Sequence, residues 1–152
     1  MRIREASHQD IPILIKMGAA FINESPTFKQ RGFNPDKAAQ HFKWLLDGNG
    51  VIFIAVQDGQ IVGGFAGGIT TDWQSDHKLA FDYVMYVMPK HRDDGVAKEL
   101  VKTFILWAKE MGADRINCGT ATLVNTKQCA ALYESLGFTP VGLFLEMELS
   151  HE

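Results

Sequence analysis

Near Gly50 the chain changes its hydrophobic period, and that change decides which class of fold is open to it. Before it, Ile11, Leu14, Ile15, Gly18, Ala19 and Ile22 recur at helical spacing and predict a helix to about Ile22. Ser7 and Asp10 offer capping oxygens ahead of that helix, and Pro12 suits its first turn. Asn23 to Asn34 is polar, contains Pro26 and Gly32, and reads as a loop. Pro35 then opens a second helix through Leu46, stopped by Gly48 and Gly50. Beyond it the pattern is β-branched over Val51 to Gln57, with Asp58-Gly59 as a two-residue hairpin signal and Ile61 to Thr70 as the returning strand. A polar turn around Trp73 leads into a further apolar strand, Leu79 to Met88, which Pro89 closes.

The helical period returns over Asp93 to Met111, where Val96, Ala97, Leu100, Val101, Phe104, Ile105, Ala108 and Met111 share one face and Gly112 caps the end. Arg115 to Gly119 reads as a short strand and Thr126 to Leu136 as a helix ended by Gly137. Phe138 to Val141 and Leu143 to Leu149 read as closing strands, with Leu143, Leu145, Met147 and Leu149 facing inward. With the alternating Arg2 to Ala6 at the start, the order is β-α-α-β-β-β-α-β-α-β-β. That is an α/β chain, a mixed sheet with helices on its faces. No repeat or linker interrupts the 152 residues, so one domain over 1–152 is expected.

Charge and cysteine usage exclude several function classes. Fifteen Lys and Arg stand against 18 Asp and Glu, a formal charge of −3, so no basic surface is available to grip nucleic acid or anionic membrane. The longest apolar runs, such as Val51 to Val56, fall far short of the ~20 residues that span a bilayer. The charged start Met1-Arg2-Ile3-Arg4-Glu5 is unlike a signal peptide, and two cysteines, Cys118 and Cys129, make no disulfide framework. A soluble cytoplasmic protein is the expectation. His8, His41, His77, His91 and His151 are scattered without ligand spacing, so no metal site is expected. No Gly-x-Ser-x-Gly elbow supports hydrolysis, and Gly63-Gly64 and Gly67-Gly68 lie inside a strand and mark a bulge or close backbone approach.

The chemistry concentrates in Val87-Met88-Pro89-Lys90-His91-Arg92-Asp93-Asp94-Gly95-Val96-Ala97, a strand, a short loop and a helix start. Unpaired N–H groups at a helix N-terminus favour phosphate oxygens. Gly95 lets the backbone approach such a group, and Arg92 adds charge-assisted hydrogen bonds. The bland alternative is that Asp93 and Asp94 simply cap the helix.

This loop resembles the Arg/Gln-x-x-Gly-x-Gly/Ala signature of the GNAT superfamily of acetyl-CoA-dependent N-acetyltransferases, through Arg92, Gly95 and Ala97. Asn125 followed by Ala130-Ala131-Leu132-Tyr133-Glu134-Ser135-Leu136-Gly137-Phe138 resembles a second segment of that family, and the order of elements is similar throughout. Asp93 and Asp94 depart from the pattern, and the charge of Lys90, His91, Arg92 and Lys98 offsets them. The resemblance implies a GNAT-like fold with acetyl-CoA as co-substrate. It implies a phosphate-binding loop at Arg92, Asp93, Asp94, Gly95, Val96 and Ala97. Backbone at Tyr86, Val87 and Met88 would pair with the pantetheine arm, a bulge would splay that strand from Arg115 to Gly119, and Asn125 would contact the pantetheine. Tyr133 is then the acid that protonates the departing sulfur.

Transfer to an amine also requires a proton acceptor. Asp82, the acid of the Leu79 to Met88 strand, is the first candidate, and Glu24 or an ordered water the next. Phe28, Phe33 and Trp73 fall in loops, either as lining of an acceptor pocket or as local packing anchors. Neither cysteine falls in the slot motif, and Cys129 reads as core, so the expected reaction is direct acetyl transfer to a primary amine of a small molecule or peptide. A different class stays open, a non-catalytic acyl-CoA-binding regulatory or interaction protein that has lost its base. The Leu143 to Leu149 strand, if an exposed edge, would allow a homodimer.

Overall fold

The computed structural model describes residues 1–120 and 124–151. Its sheet has five strands in sequence order: β1 (Arg2–Glu5), β2 (Gly50–Gln57), β3 (Gln60–Thr71), β4 (Lys78–Val87) and β5 (Arg115–Asn117). The first four pair antiparallel and β5 joins β4 in parallel. A parallel neighbour needs a crossover. The helix α3 (Val96–Glu110) supplies it, and α1 (Ile11–Glu24), α2 (Pro35–Trp44) and α4 (Thr126–Ser135) complete the helical set.

Alternation along β2 divides the core. Val51, Phe53 and Ala55 belong to a cluster with Val96, Leu100, Val101 and Phe104 of α3 and Tyr133 of α4. Ile52 and Ile54 pack instead with Ile11 and Leu14 of α1 and Phe42 of α2. So α1 and α2 cover one face of the sheet, and α3 and α4 the other. Phe104 is fully buried and meets Phe65 at 4.5 Å between ring centroids. Gly67 makes that fit possible, since a Cβ there would lie 2.4 Å from the Phe104 ring and 2.8 Å from the Phe81 carbonyl oxygen.

At the same place the ladder slips. Ala66 pairs with Val84 but Gly67 pairs with Asp82, so Tyr83 is one residue too many on β4. This is a β-bulge, and it bends the strand that carries it. Beyond it β4 and β5 part company: the two pair only from Leu79 to Phe81. The expected splay is therefore present, and it begins at Asp82.

Several boundaries move. The strand expected over Arg115 to Gly119 stops at Asn117, and α3 begins at Val96 rather than Asp93. Gly95, at φ 77°, is the residue that caps α3, which leaves Asp93 and Asp94 exposed in the turn before it. The largest correction is at the C-terminus. Residues 139–151 form no strand, and Leu143, Leu145, Met147 and Leu149 are 90%, 85%, 80% and 69% exposed rather than inward-facing. Their alternation fits a sheet face, but a strand exists only where a neighbour takes its backbone hydrogen bonds. Within one chain none does so among the described residues. Glu146 of this segment instead forms an ion pair with Arg31, in the loop between α1 and α2.

Candidate functional site

The parting of β4 from β5 opens a cavity of about 780 Å³. Phe21 and His41 line it from the α1–α2 side, Ala97 and Tyr133 from the α3–α4 side, so it passes through the gap in the sheet. Asp82, Tyr86, Val87, Arg92, Gly95, Ala97, Asn125 and Tyr133 all border it. The sequence-predicted residues are thus brought together, with exceptions.

Met88 and Val96 are two of them. The Met88 N–H donates to the Val62 carbonyl at 2.9 Å, and Val96 is wholly buried in the core. Asp93 and Asp94 do not line the cavity either. The Asp94 carboxylate bonds His91 Nδ1 at 3.1 Å, outside the mouth. The Asp94 carboxylate is thus tied to His91 and not to the cavity. Around Gly95 the space where a Cβ would stand is open, with no atom within 4 Å. Its positive φ is itself a reason for glycine, and the open space is where a ligand oxygen can approach the first N–H groups of α3.

Arg92 is positioned by both local and distant partners. Its Nε donates to the Val87 carbonyl at 2.9 Å, and its guanidinium carbon lies 5.5 Å from the Tyr86 ring centroid. Both terminal nitrogens reach Glu24 at the end of α1, with Nη2 donating to Oε2 at 2.6 Å. The guanidinium holds the Glu24 carboxyl below the usual carboxylate range, which makes Glu24 a weak proton acceptor. Glu24 closes a bridge across the cavity, in the place where a phosphate would compete for the same fork.

On the far side of the gap Asp82 accepts the Gly119 N–H at 3.3 Å. Burial raises its pKa above the usual value, and that N–H partly opposes the rise. Tyr133 is 6% exposed, and its hydroxyl stands near the Cys118 thiol. Burial raises the pKa of the phenol and of both thiols, Cys118 and Cys129, so all three stay protonated near neutral pH. An acid of raised pKa, a protonated phenol and a thiol meet at one spot. Such a set can take up one proton and release another.

The model of the acetyltransferase (GNAT) family matches residues 19–138, most of the chain and all of this cavity's strand–loop–helix segment. The chain belongs to the GNAT acetyltransferase family. It is similar to the uncharacterized N-acetyltransferase YjgM of Escherichia coli (strain K12), at 36% identity over 86 residues, which covers 57% of this chain and 49% of that protein. The chain thus spans about half the length of that relative, and less than half of a probable N-acetyltransferase family 8 member 5 of Mus musculus, which matches at 27% identity over 68% of this chain and 45% of its own length. Among solved structures, the aminoglycoside 6'-N-acetyltransferase AAC(6')-IG of Acinetobacter haemolyticus superposes with a TM-score of 0.75 at 20% identity, covering all of both chains. These likenesses establish the fold as that of GNAT acetyltransferases.

Sequence reasoning missed or misplaced several parts of this GNAT cavity. Cys118 lies beside Tyr133 because it follows β5 with the same parity as Ile116, whose side chain packs on the α3–α4 core. Cys129, expected in the core, is half-buried and lines the cavity. Phe28 and Phe33 border the cavity as one of their two readings required, whereas Trp73 is 95% exposed and far from any lining role. Among the described residues, no cluster of His, Cys, Asp and Glu is placed to hold a metal, and no helix is long and apolar enough to cross a membrane.

Proposed function

We propose that this chain is an acetyl-CoA-dependent N-acetyltransferase that moves an acetyl group directly to a primary amine of a small molecule. The observation that carries the reading is the meeting of Asp82 and Tyr133 on one cavity that also reaches the open N-terminus of α3. The donor fits these residues. The α3 N–H groups, Arg92 and Lys98 suit the phosphates, the cavity edge at Tyr86 and Val87 suits an extended amide arm, and Asn125 stands beside it. Bound acetyl-CoA supplies the acetyl group as an activated thioester.

The residues then divide the proton work. Asp82 accepts the proton that the amine sheds as the new C–N bond forms. Tyr133 donates its hydroxyl proton to the sulfur as the C–S bond breaks, and solvent restores both. An acyl-cysteine route is disfavoured by the same burial that keeps Cys118 and Cys129 protonated, because the thiolate is the nucleophile. Thiol release from acetyl-CoA in the presence of an amine panel tests the reading; acetyl-CoA binding without release would favour a non-catalytic acyl-CoA-binding protein.

Three expected results follow from the geometry. Gly95→Asn keeps the left-handed backbone that asparagine tolerates but fills the open space in front of α3. Calorimetry should show weaker acetyl-CoA binding with an unchanged melting temperature, and unchanged affinity would remove the phosphate-loop assignment. Glu24→Gln frees the Arg92 fork, so the same titration should tighten by up to about fivefold, the scale of a partly exposed ion pair. Looser binding would show that Glu24 holds Arg92 in its productive pose instead.

The third result concerns assembly. We propose that the exposed row Leu143, Leu145, Met147 and Leu149, together with the edge that β5 leaves unpaired among the described residues, brings two copies together. Sedimentation should give a dimer, and Leu145→Asp a monomer; a monomeric parent chain would sink the idea.

A further inference from the structure

The structure assigns to this cavity a primary monoamine on a flat, apolar body, and not a polycation. The inference rests on the reading of the cavity as an acyl-transfer site and names the acceptor class.

On the α1–α2 side the wall is rich in rings, among them Phe21, Phe28, Phe33, His41, Tyr83 and Tyr86. They support one another, with His41 set edge-on to Tyr83 at 4.6 Å, Phe21 edge-on to Tyr86 at 6.3 Å, and Phe21 tilted against Phe28 at 6.1 Å. The bulge at Tyr83 turns this ring toward His41 of α2, so the break in the β-ladder also builds the acceptor wall. Burial lowers the His41 pKa and keeps its ring neutral near pH 7, so it adds no cation to the wall.

The charges tell against a polycation. Among the described lining residues the carboxylates are Glu24 and Asp82, and Glu24 is held by Arg92 or, once a phosphate takes that fork, is left to meet a single ammonium. Lys37 and Lys98 line the same cavity. Every further ammonium brought in would lose its water without gaining a carboxylate, which is costly. One ammonium is different, because ring faces attract it and Asp82 stands at the gap to take its proton. An apolar wall also lowers the pKa of an amine held against it, which favours the neutral nucleophile that the reaction needs.

The experiment uses the full chain, with phenethylamine, spermidine and kanamycin as probes. Amine-dependent thiol release from acetyl-CoA should give phenethylamine a kcat/KM about tenfold or more above either polycation, because each further ammonium loses its water against the rings without a carboxylate to meet it. Phe28→Leu keeps the apolar bulk and removes the ring face; it should lower kcat/KM for phenethylamine and leave acetyl-CoA affinity unchanged. Spermidine or kanamycin equal to or better than phenethylamine overturns the assignment, as does acetyl-CoA binding with no turnover or binding of phenethylamine. If acetyl-CoA fails to bind, the acyl-transfer reading falls, and direct calorimetry of phenethylamine against kanamycin still decides which amine the cavity takes.

Discussion

Asp82→Asn is expected to lower kcat/KM for the amine by roughly 10²- to 10⁴-fold at neutral pH, the range for loss of a positioned proton acceptor. Acetyl-CoA affinity should not change, because Asp82 lies at the gap between β4 and β5 rather than at the loop before α3. The pH profile gives the sharper test. Burial raises the Asp82 pKa, so the acidic limb of the parent's profile should lie above the ordinary carboxylate range, and the rate should fall as pH drops through it. In the Asn variant that limb should vanish, and its deficit should narrow as pH approaches the ~10 typical of an alkylamine. Stability should move the other way. A carboxyl whose folded pKa exceeds its unfolded value stabilises fully below the unfolded pKa, and that contribution is lost as pH rises through the folded pKa. The Asn variant should therefore melt higher than the parent at neutral pH, and the difference should shrink on acidification. A normal acidic limb in the variant would hand the base role to water.

Local signals wrote most of this fold plainly. The α3 stripe of Val96, Leu100, Val101, Phe104 and Ala108 is buried as its spacing requires. Asp58-Gly59 turns β2 into β3, with both residues at positive φ. The glycines of β3 marked the bulge and close approach that shape the cavity. What stayed hidden depends on distant partners. The spacing of Leu143 to Leu149 says that one side wants covering, but not which strand covers it, and among the described residues none does. The loop motif put Arg92 among the candidates and the structure places it on the cavity, yet its tie to Glu24, 68 residues away, depends on where the end of α1 lies. Asp93 and Asp94 looked like obstacles because the sequence shows their charge and not their direction. The aromatic wall was the least legible part, since its rings come from α1, α2, the loop between them and β4.

Tyr133→Phe should lower kcat by about ten- to a hundredfold, the low end of general acid catalysis. The modest size follows from the leaving group. A thiol pKa near 8.5 already makes the thiolate a tolerable departing species, so a proton donor helps less than it would for an alkoxide. Burial pushes the phenol above its ordinary value of about 10, so Tyr133 stays protonated across the working range and should contribute no basic limb to the pH profile. The ring packs edge-on against Phe138 at 5.2 Å, and phenylalanine preserves that contact. The variant loses only the hydroxyl, which stands near the Cys118 thiol, so stability should fall by no more than the scale of one net hydrogen bond, ~1 kcal/mol. Cys118 supplies the control. Cys118→Ser leaves a polar hydrogen-bonding group near Tyr133, and Cys118→Ala removes it. If Tyr133 is the acid and Cys118 only orients it, the serine variant should retain most of kcat and the alanine variant should fall between parent and Tyr133→Phe. If Tyr133→Phe instead leaves kcat unaltered and weakens acetyl-CoA binding, the hydroxyl is a cofactor contact, and the proton for sulfur comes from elsewhere.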